Sequence, residues 1–127
     1  MIAHLIDPKE QKITTVRHKG GYEGILGYID SDLMDAIRAY DNGDVIYVDD
    51  NGLYKTDQFF FMHKNYPNPI AGKGLLVGTG SEGDDEEPIT KPKQLKEDVK
   101  WIGSLFLVQM LVKSNPDMQD YRPLFWK

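Results

Sequence analysis

The sequence predicts an α+β fold, in which a twisted antiparallel sheet built from consecutive hairpins carries one or two short helices and an acidic loop. Three observations lead to this prediction. Short apolar runs alternate with turn signals such as Asp-Pro and Asn-Gly. One segment around residue 25 has its apolar residues at helical spacing. Residues 80–93 are polar, acidic and rich in residues that favour turns.

The N-terminal segment is expected to form a hairpin. Residues Ile2–Ile6 and Lys12–Arg17 have the composition of strands, and Asp7-Pro8-Lys9-Glu10 separates them. Proline fixes φ at the start of such a turn, and the Asp side chain accepts hydrogen bonds from the backbone amides that follow. Two antiparallel strands are therefore expected at the start of the sheet.

A short helix is predicted for residues 22–29, whose apolar side chains follow the i, i+3, i+4, i+7 spacing of one helix face. Gly24 and Gly27 weaken this prediction, because glycine is unfavourable inside a helix. Residues 32–40 are ambiguous. Their periodicity fits a helix with Ser31 as its N-cap better than it fits a strand.

The middle of the chain predicts an antiparallel meander over residues 34–62. Asp50-Asn51-Gly52 separates Val45–Val48 from Leu53-Tyr54, and Asn-Gly suits the positive φ angles of a tight hairpin turn. We expect Phe59–Met62 to be the next strand of this meander.

The remainder of the chain is divided by prolines and acidic residues. Tyr66-Pro67-Asn68-Pro69 is expected to interrupt the sheet, because proline cannot donate to a β-ladder, and Leu75–Val77 is expected to resume it. Leu95–Val99 is predicted to be a helical turn that leads into Lys100-Trp101-Ile102. Residues 103–115 fit either a helix or a long apolar strand.

The size and composition indicate one globular domain. The chain has 127 residues, of which 40% are hydrophobic and 28% are charged. We place this domain at residues 1–102 and treat residues 103–127 as a C-terminal extension that packs on the domain or on a partner. The chain contains no Cys, which excludes disulfides and thiolate chemistry and fits a cytoplasmic location.

The charge and hydropathy patterns exclude two classes of partner. A formal net charge of −5 argues against a nucleic-acid binder that works by neutralising phosphates. The most apolar stretch, Val99–Val112, is about 14 residues long and contains Lys100 and Gln109, so it is too short and too polar to span a bilayer. The first ten residues resemble no signal peptide. We therefore expect no nucleic-acid and no membrane partner.

A glycine-rich segment matches the dinucleotide fingerprint G-x-G-x-x-G. It makes Gly78, Gly80 and Gly83, together with the nearby Lys73, candidate ligand-binding residues. In a true site the glycines let a pyrophosphate approach the N-terminus of the helix that follows. Here four consecutive carboxylates follow at residues 84–87, without an amphipathic helix behind them. Because carboxylates repel phosphate, the sequence favours a simple turn over a nucleotide site.

Asp84, Asp85 and Glu86 are candidate metal ligands, since hard cations such as Ca²⁺ bind carboxylate oxygens. Their spacing does not match a calcium-binding loop, and adjacent side chains cannot all converge on one ion, so a solvated acidic loop is favoured. The three histidines are far apart, and no serine lies in a G-x-S-x-G elbow. The sequence therefore identifies no catalytic residue and no cofactor.

The aromatic residues provide the candidates for an interface, which are Phe59, Phe61, Leu124, Phe125 and Trp126. Three adjacent phenylalanines on a strand point to both of its faces, which favours core packing or a protein interface over stacking on nucleic-acid bases. The apolar tail at residues 124–126 is expected either to fold back onto the sheet or to bind a second copy of the chain.

In order along the chain, IAHLIDPKEQKITTV, GDVIYVDDNGLYK, FFF and YPNPIAGKGLLVGTGSEGD resemble a family of small uncharacterised bacterial proteins that are common in phages, plasmids and other mobile elements. The resemblance covers about residues 1–102. It implies that residues 34–40 form a strand, preceded by a short helix at residues 22–29. It implies no particular activity.

The leading functional hypothesis is a non-enzymatic binding or accessory protein that acts through protein–protein contacts, with a homodimer as one form. The alternative is a small-molecule or nucleotide-binding module that uses the loops between Gly72 and Gly83. A third hypothesis, an acid–base enzyme with two convergent carboxylates, stays open because the sequence does not show which of the 20 acidic residues converge.

Overall fold

The structure, a computed structural model, describes residues 1–52 and 55–126 and confirms the α+β class. In chain order, its elements are β1 (Ile2–Asp7), β2 (Lys12–Arg17), α1 (Gly21–Ile29), β3 (Met34–Ile37), β4 (Val45–Asp49), β5 (Phe59–His63), β6 (Tyr66–Ala71), β7 (Gly74–Thr79), β8 (Asp85–Glu86), α2 (Pro92–Asp98), β9 (Val99–Ser104) and α3 (Leu105–Ser114). A short 3₁₀ helix follows at Arg122–Leu124.

The strands form two antiparallel sheets. Sheet 1 has the order β2-β1-β7-β4-β3, and β8 pairs with the end of β7. Sheet 2 has the order β6-β5-β9. Because the side chains of a strand alternate between its two faces, each sheet has one face toward the other sheet and one face away from it.

The main core lies between the two sheets. Ile46 and Leu76 of sheet 1 pack there with Phe61 of sheet 2, and Leu95 of α2 joins the same cluster. On the opposite face of sheet 1, α1 buries two isoleucines against β1 and β7. On the opposite face of sheet 2, α3 packs Val108 against β5 and β6. The layers therefore follow the order α1, sheet 1, sheet 2, α3.

The N-terminal hairpin is confirmed in both its strands and its turn chemistry. β1 pairs with β2 from Ile2 opposite Arg17 to Asp7 opposite Lys12. Asp7 Oδ1 accepts hydrogen bonds from the backbone N–H groups of Lys9 at 3.1 Å and Glu10 at 3.2 Å. These are the side-chain bonds by which an Asp starts a turn.

The expectation that Phe59–Met62 continues the meander of residues 34–62 is wrong, because this strand belongs to sheet 2. β4 has β3 on one edge and β7 on the other, so no edge is left for β5, which pairs with β6 and β9 in sheet 2. The predicted hairpin partner Leu53-Tyr54 lies outside the described residues. Turn chemistry alone therefore did not identify the neighbours of β4.

The expected break at Tyr66–Pro69 is also wrong, because these residues belong to β6. This strand is at the edge of sheet 2, where proline is tolerated. Pro67 and Pro69 are two residues apart, so both missing N–H groups lie on the same edge of the strand. The carbonyl of Pro67 accepts a hydrogen bond from Tyr121 N–H at 2.8 Å, which places that edge away from β5.

The other assignments differ from the structure mainly at their ends. Residues 34–37 form a strand, as the family resemblance implied, although this strand stops before residue 40. The acidic loop at residues 80–93 contains the two-residue strand β8. β9 continues to Ser104, and the following apolar segment is helical. Within the described residues, no helix has the length and apolar character needed to cross a membrane.

Candidate functional site

The glycine-rich segment forms the end of β7 and a tight turn into β8. Gly78 lies in β7, and Gly80 and Gly83 lie in the turn. The N–H of Gly80 donates to the carbonyl of Asp84 at 2.7 Å, and the N–H of Gly83 donates to the carbonyl of Gly80 at 2.9 Å. A phosphate site needs free backbone N–H groups, and these two are already used within the turn.

The space beside the same glycines is filled by acidic residues. A Cβ atom on Gly78 would lie 2.3 Å from the carbonyl oxygen of Glu87. A Cβ atom on Gly80 would lie 2.6 Å from a carboxylate oxygen of Asp84 and 2.5 Å from one of Glu86. These glycines therefore permit the close approach of β8 and its carboxylates rather than leaving an open cradle.

Lys73 does not join the glycine-rich turn. It precedes the first residue of β7, whereas Gly80 follows the last one, so the strand separates the two by roughly 20 Å. The Lys73 ammonium is 2.9 Å from a carboxylate oxygen of Asp30, and this ion pair raises the pKa of Lys73. The structure therefore places the predicted ligand-binding residues at opposite ends of one strand.

The predicted metal ligands do not converge either. Asp85 accepts a hydrogen bond from the N–H of Gly21 at 2.8 Å, while Asp84 and Glu86 lie beside Gly80. Among residues 1–52 and 55–126, no three His, Asp or Glu side chains are grouped closely enough to hold a metal ion. In the structure, Asp85 connects the β7–β8 turn to the start of α1.

Of the predicted interface residues, Phe61 lies in the main core and is 0% exposed, so it is not available to a partner. The reason is the alternation along β5, which directs Phe61 toward sheet 1. Phe59 is half-buried, as are the tail residues Leu124, Phe125 and Trp126.

The tail packs on the same chain. Tyr121 is buried, and its N–H donates to the carbonyl of Pro67 in β6. The guanidinium of Arg122 forms an ion pair with Asp120. The ring of Trp126 lies 5.8 Å from the ammonium of Lys100 in β9, a cation–π distance. The tail therefore covers part of sheet 2, and Leu124–Trp126 is only partly accessible.

The most apolar exposed surface is the outer face of α3, which the sequence reasoning did not single out. We call Phe106, Leu107 and Met110 the α3 face. Their exposed fractions range from 47% for Leu107 to 66% for Phe106, whereas Val108 on the inner side of the helix is buried. Val112, one turn after Val108, is also exposed, but it lies outside this face. The signal was available, since apolar residues surround this helix on all sides rather than forming one stripe.

A second feature missed by sequence reasoning is a buried polar cluster beneath a cleft of about 430 Å³. The Tyr40 hydroxyl donates to a carboxylate oxygen of Asp98 at 2.8 Å, and His63 Nε2 lies 2.9 Å from that hydroxyl. Gln94 Nε2 donates to both oxygens of Asp98, and the N–H of Asn65 donates to His63 Nδ1 at 3.0 Å. Asp98 and His63 are both buried.

The protonation of this cluster follows from its hydrogen bonds. Because Nδ1 of His63 accepts a bond, the proton of the neutral ring lies on Nε2, which donates to Tyr40. Burial lowers the pKa of His63 to about 4 and raises the pKa of Tyr40, so both groups are neutral at pH 7. Every donor in the chain from His63 to Asp98 has an acceptor, and the cluster ties β5 and α2 to the segment after β3.

The comparisons with known proteins identify a family but no activity, ligand or partner. Residues 1–100 match a family model described as "Domain of unknown function (DUF3846)". The chain is also similar to the uncharacterized protein y4iR of Sinorhizobium fredii (strain NBRC 101917 / NGR234), with 30% identity over 99 residues. That match covers 76% of this chain and 58% of the relative. No solved structure matches the chain significantly.

Proposed function

This chain belongs to the DUF3846 family of unknown function, and we propose that it is a binding protein that acts through protein–protein contacts at the α3 face. The single observation that carries the proposal is the exposure of three large apolar side chains on one side of a short helix. Contiguous exposed apolar surface on a folded protein marks contact sites, since monomeric proteins keep such patches small.

The character of α3 supports a protein as the partner. Seven of its ten residues are apolar, and its one charged residue is Lys113. Of these apolar side chains Val108 is buried and Leu105 and Leu111 are half-buried, so four of the seven are exposed to solvent. Aromatic and Met side chains are enriched at protein interfaces, and Phe106 and Met110 lie next to each other at i, i+4 spacing.

A second copy of the same chain is the partner that we infer. The α3 face is uncharged, and two such faces bury each other without bringing together the carboxylates that give the chain its net charge of −5. The face lies beyond residue 100, outside the family match, so this inference concerns this chain and does not extend to the family.

The proposed setting is the cytoplasm of a bacterium, in which the protein serves as an accessory factor of the cell or of a mobile genetic element. The absence of Cys and the similarity to a bacterial relative support this setting. Binding is favoured over catalysis because His63 is fully buried beneath Tyr40, where it cannot touch a substrate.

The test is the molar mass of the full chain by size-exclusion chromatography with light scattering over a range of concentrations. The unmodified chain is expected to exceed the monomer mass of 14.5 kDa as concentration rises. A Phe106→Ser/Met110→Ser double variant is expected to stay monomeric. The control is Ile89→Ser, because Ile89 is 65% exposed but lies far along the chain from α3.

Photo-crosslinking tests whether a different protein binds the α3 face. A photoreactive residue at position 106 is expected to capture a protein, and one at position 89 is not. The proposal is overturned when the unmodified chain is a monomer at every concentration and position 106 captures no more than position 89.

A further inference from the structure

A cleft of about 670 Å³ lies on the opposite side of the molecule from α3, between the end of β2 and α1. One wall is formed by residues 17–19, and the other by Glu23, Gly24, Gly27 and Tyr28 of α1. The volume falls in the range of clefts that hold a small organic molecule. None of the residues predicted from the sequence to bind a ligand lines it.

Part of the cleft is bare helix backbone, because two glycines of α1 face it. A Cβ atom on Gly24 would lie 3.3 Å from the backbone nitrogen of Lys19, so the packing of the β2–α1 connection accounts for that glycine. A Cβ atom on Gly27 would meet nothing within 4 Å. Glycine is unfavourable inside a helix, and no neighbour within the described residues requires it at position 27. A ligand lying against the backbone would require it.

His18 supplies an independent indication of a ligand. It lines the cleft and is 7% exposed. The N–H of Gly20 donates to His18 Nδ1 at 3.1 Å, so the proton of the neutral ring lies on Nε2. This Nε2 has no hydrogen-bond partner within the described residues. Buried donors are nearly always paired, so an acceptor is missing at this wall.

The charges around the cleft define the ligand further. Arg17 and Lys19 flank His18, are exposed, and form no ion pair with any residue that the structure describes. Glu23 contributes one negative charge on the helix side. Burial lowers the pKa of His18, so its ring is neutral at pH 7. The side chains that line the cleft therefore carry a net charge of about +1.

The geometry points to a binding site for a small organic monoanion with a flat apolar body. The body lies across Gly24 and Gly27 beside the ring of Tyr28, and the anionic oxygens lie between Arg17 and Lys19. One of these oxygens accepts the hydrogen bond from His18 Nε2. Nε2 is covered in the structure, so this hydrogen bond requires the His18 ring to turn toward the cleft.

The test is a titration of the ¹⁵N-labelled full chain with sodium benzoate, followed by NMR of the Gly24 and Gly27 amides and of the His18 ring nitrogens. Benzoate is expected to shift all of these signals in a saturable way at millimolar concentration. Acetate lacks the apolar body and benzamide lacks the charge, so each is expected to bind at least about tenfold more weakly.

Two variants separate the site from the fold. Gly27→Leu fills the bare part of the cleft and is expected to abolish the response to benzoate while the melting temperature stays equal or rises, because Leu favours the helix over Gly. His18→Gln is expected to weaken binding about tenfold. The matched control is Tyr22→Ser, which changes an exposed residue of α1 outside the cleft and is expected to keep full binding.

The inference is overturned when benzoate gives no saturable shift, when Gly27→Leu binds benzoate as well as the unmodified chain, or when benzamide binds as tightly as benzoate. The result is independent of the α3 face. The Phe106→Ser/Met110→Ser variant is expected to bind benzoate normally whatever its molar mass.

Discussion

The two helices that cover the sheets from outside differ in what they bury and what they expose. On sheet 1, α1 buries Ile25 and Ile29 against β1 and β7, and its outer side carries Glu23 and Gly27. On sheet 2, α3 buries Val108 and exposes apolar side chains instead. Both helices are of similar length, with nine and ten residues.

The difference shows that a helix can cover a sheet and still leave apolar side chains exposed to water. α1 covers sheet 1 and exposes one large hydrophobic side chain, Tyr22. α3 covers sheet 2 but leaves an apolar surface, which only a partner can remove from water. The family model matches residues 1–100, so it includes α1 and does not include α3. Two pairs of substitutions test this contrast, and a pH series tests the polar cluster between the sheets.

The largest expected effect separates two phenylalanines, Phe61 in the layer between the sheets and Phe106 on the α3 face. Phe61→Ala is expected to lower the free energy of unfolding by about 3–5 kcal/mol, because it leaves a cavity in a fully buried site. Phe106→Ala is expected to change it by less than about 0.5 kcal/mol in the monomer. Urea unfolding at low protein concentration, followed by Trp fluorescence, measures both. Equal losses would mean that α3 is buried and would remove the contrast.

The next effect concerns the polar cluster that ties the two sheets together. The pKa of His63 is lowered from 6.5 to about 4. Between these values the unfolded state binds a proton that the folded state does not, so the free energy of unfolding falls as the pH falls from about 6.5 to about 4. The loss over that interval is about 3 kcal/mol.

Unfolding curves of the unmodified chain and of His63→Gln at several pH values check this prediction. The variant is expected to lack this part of the pH dependence, while the contribution of the carboxylates stays common to both proteins. An identical decline in the two proteins would contradict the buried, neutral state of His63.

The smallest effect compares the two sides of α3 itself. Val108→Ala removes buried methyl groups and is expected to lower the free energy of unfolding by about 1–2 kcal/mol. Met110→Ala on the α3 face is expected to change it by less than about 0.5 kcal/mol. Thermal unfolding of both variants under conditions where the chain is monomeric provides the measurement. A larger loss for Met110→Ala would place the apolar face against the domain rather than in solvent.

Local features of the fold could be read from the sequence alone. The side chain of Asp7 and the ring of Pro8 specify the first turn within four residues, and the spacing of Ile25 and Ile29 specifies the buried side of α1. The acidic residues after Gly83 indicate a turn unsuited to phosphate, and the structure places carboxylate oxygens next to Gly80. Each of these inferences depends on residues close together in the chain.

The polar cluster, the cleft and the α3 face could not be predicted in the same way. Tyr40, His63 and Asp98 meet from three distant parts of the chain, and none of them has neighbours that mark it as special. The sequence does not distinguish His18 from the other histidines, because its Nε2 becomes buried and unpaired only when β2 and α1 are packed. The outward direction of Phe106 likewise follows from how α3 lies on sheet 2.

The sequence by itself determined the turns, the periodicity of each element and the classes of chemistry that the residues can support. Only the tertiary structure decided that β7 pairs with β1 and β4, that β5 belongs to the second sheet, and that α3 faces outward. The physical reason is that turn and helix signals act over a few residues, whereas the pairing of strands tens of residues apart depends on which apolar faces can be buried together.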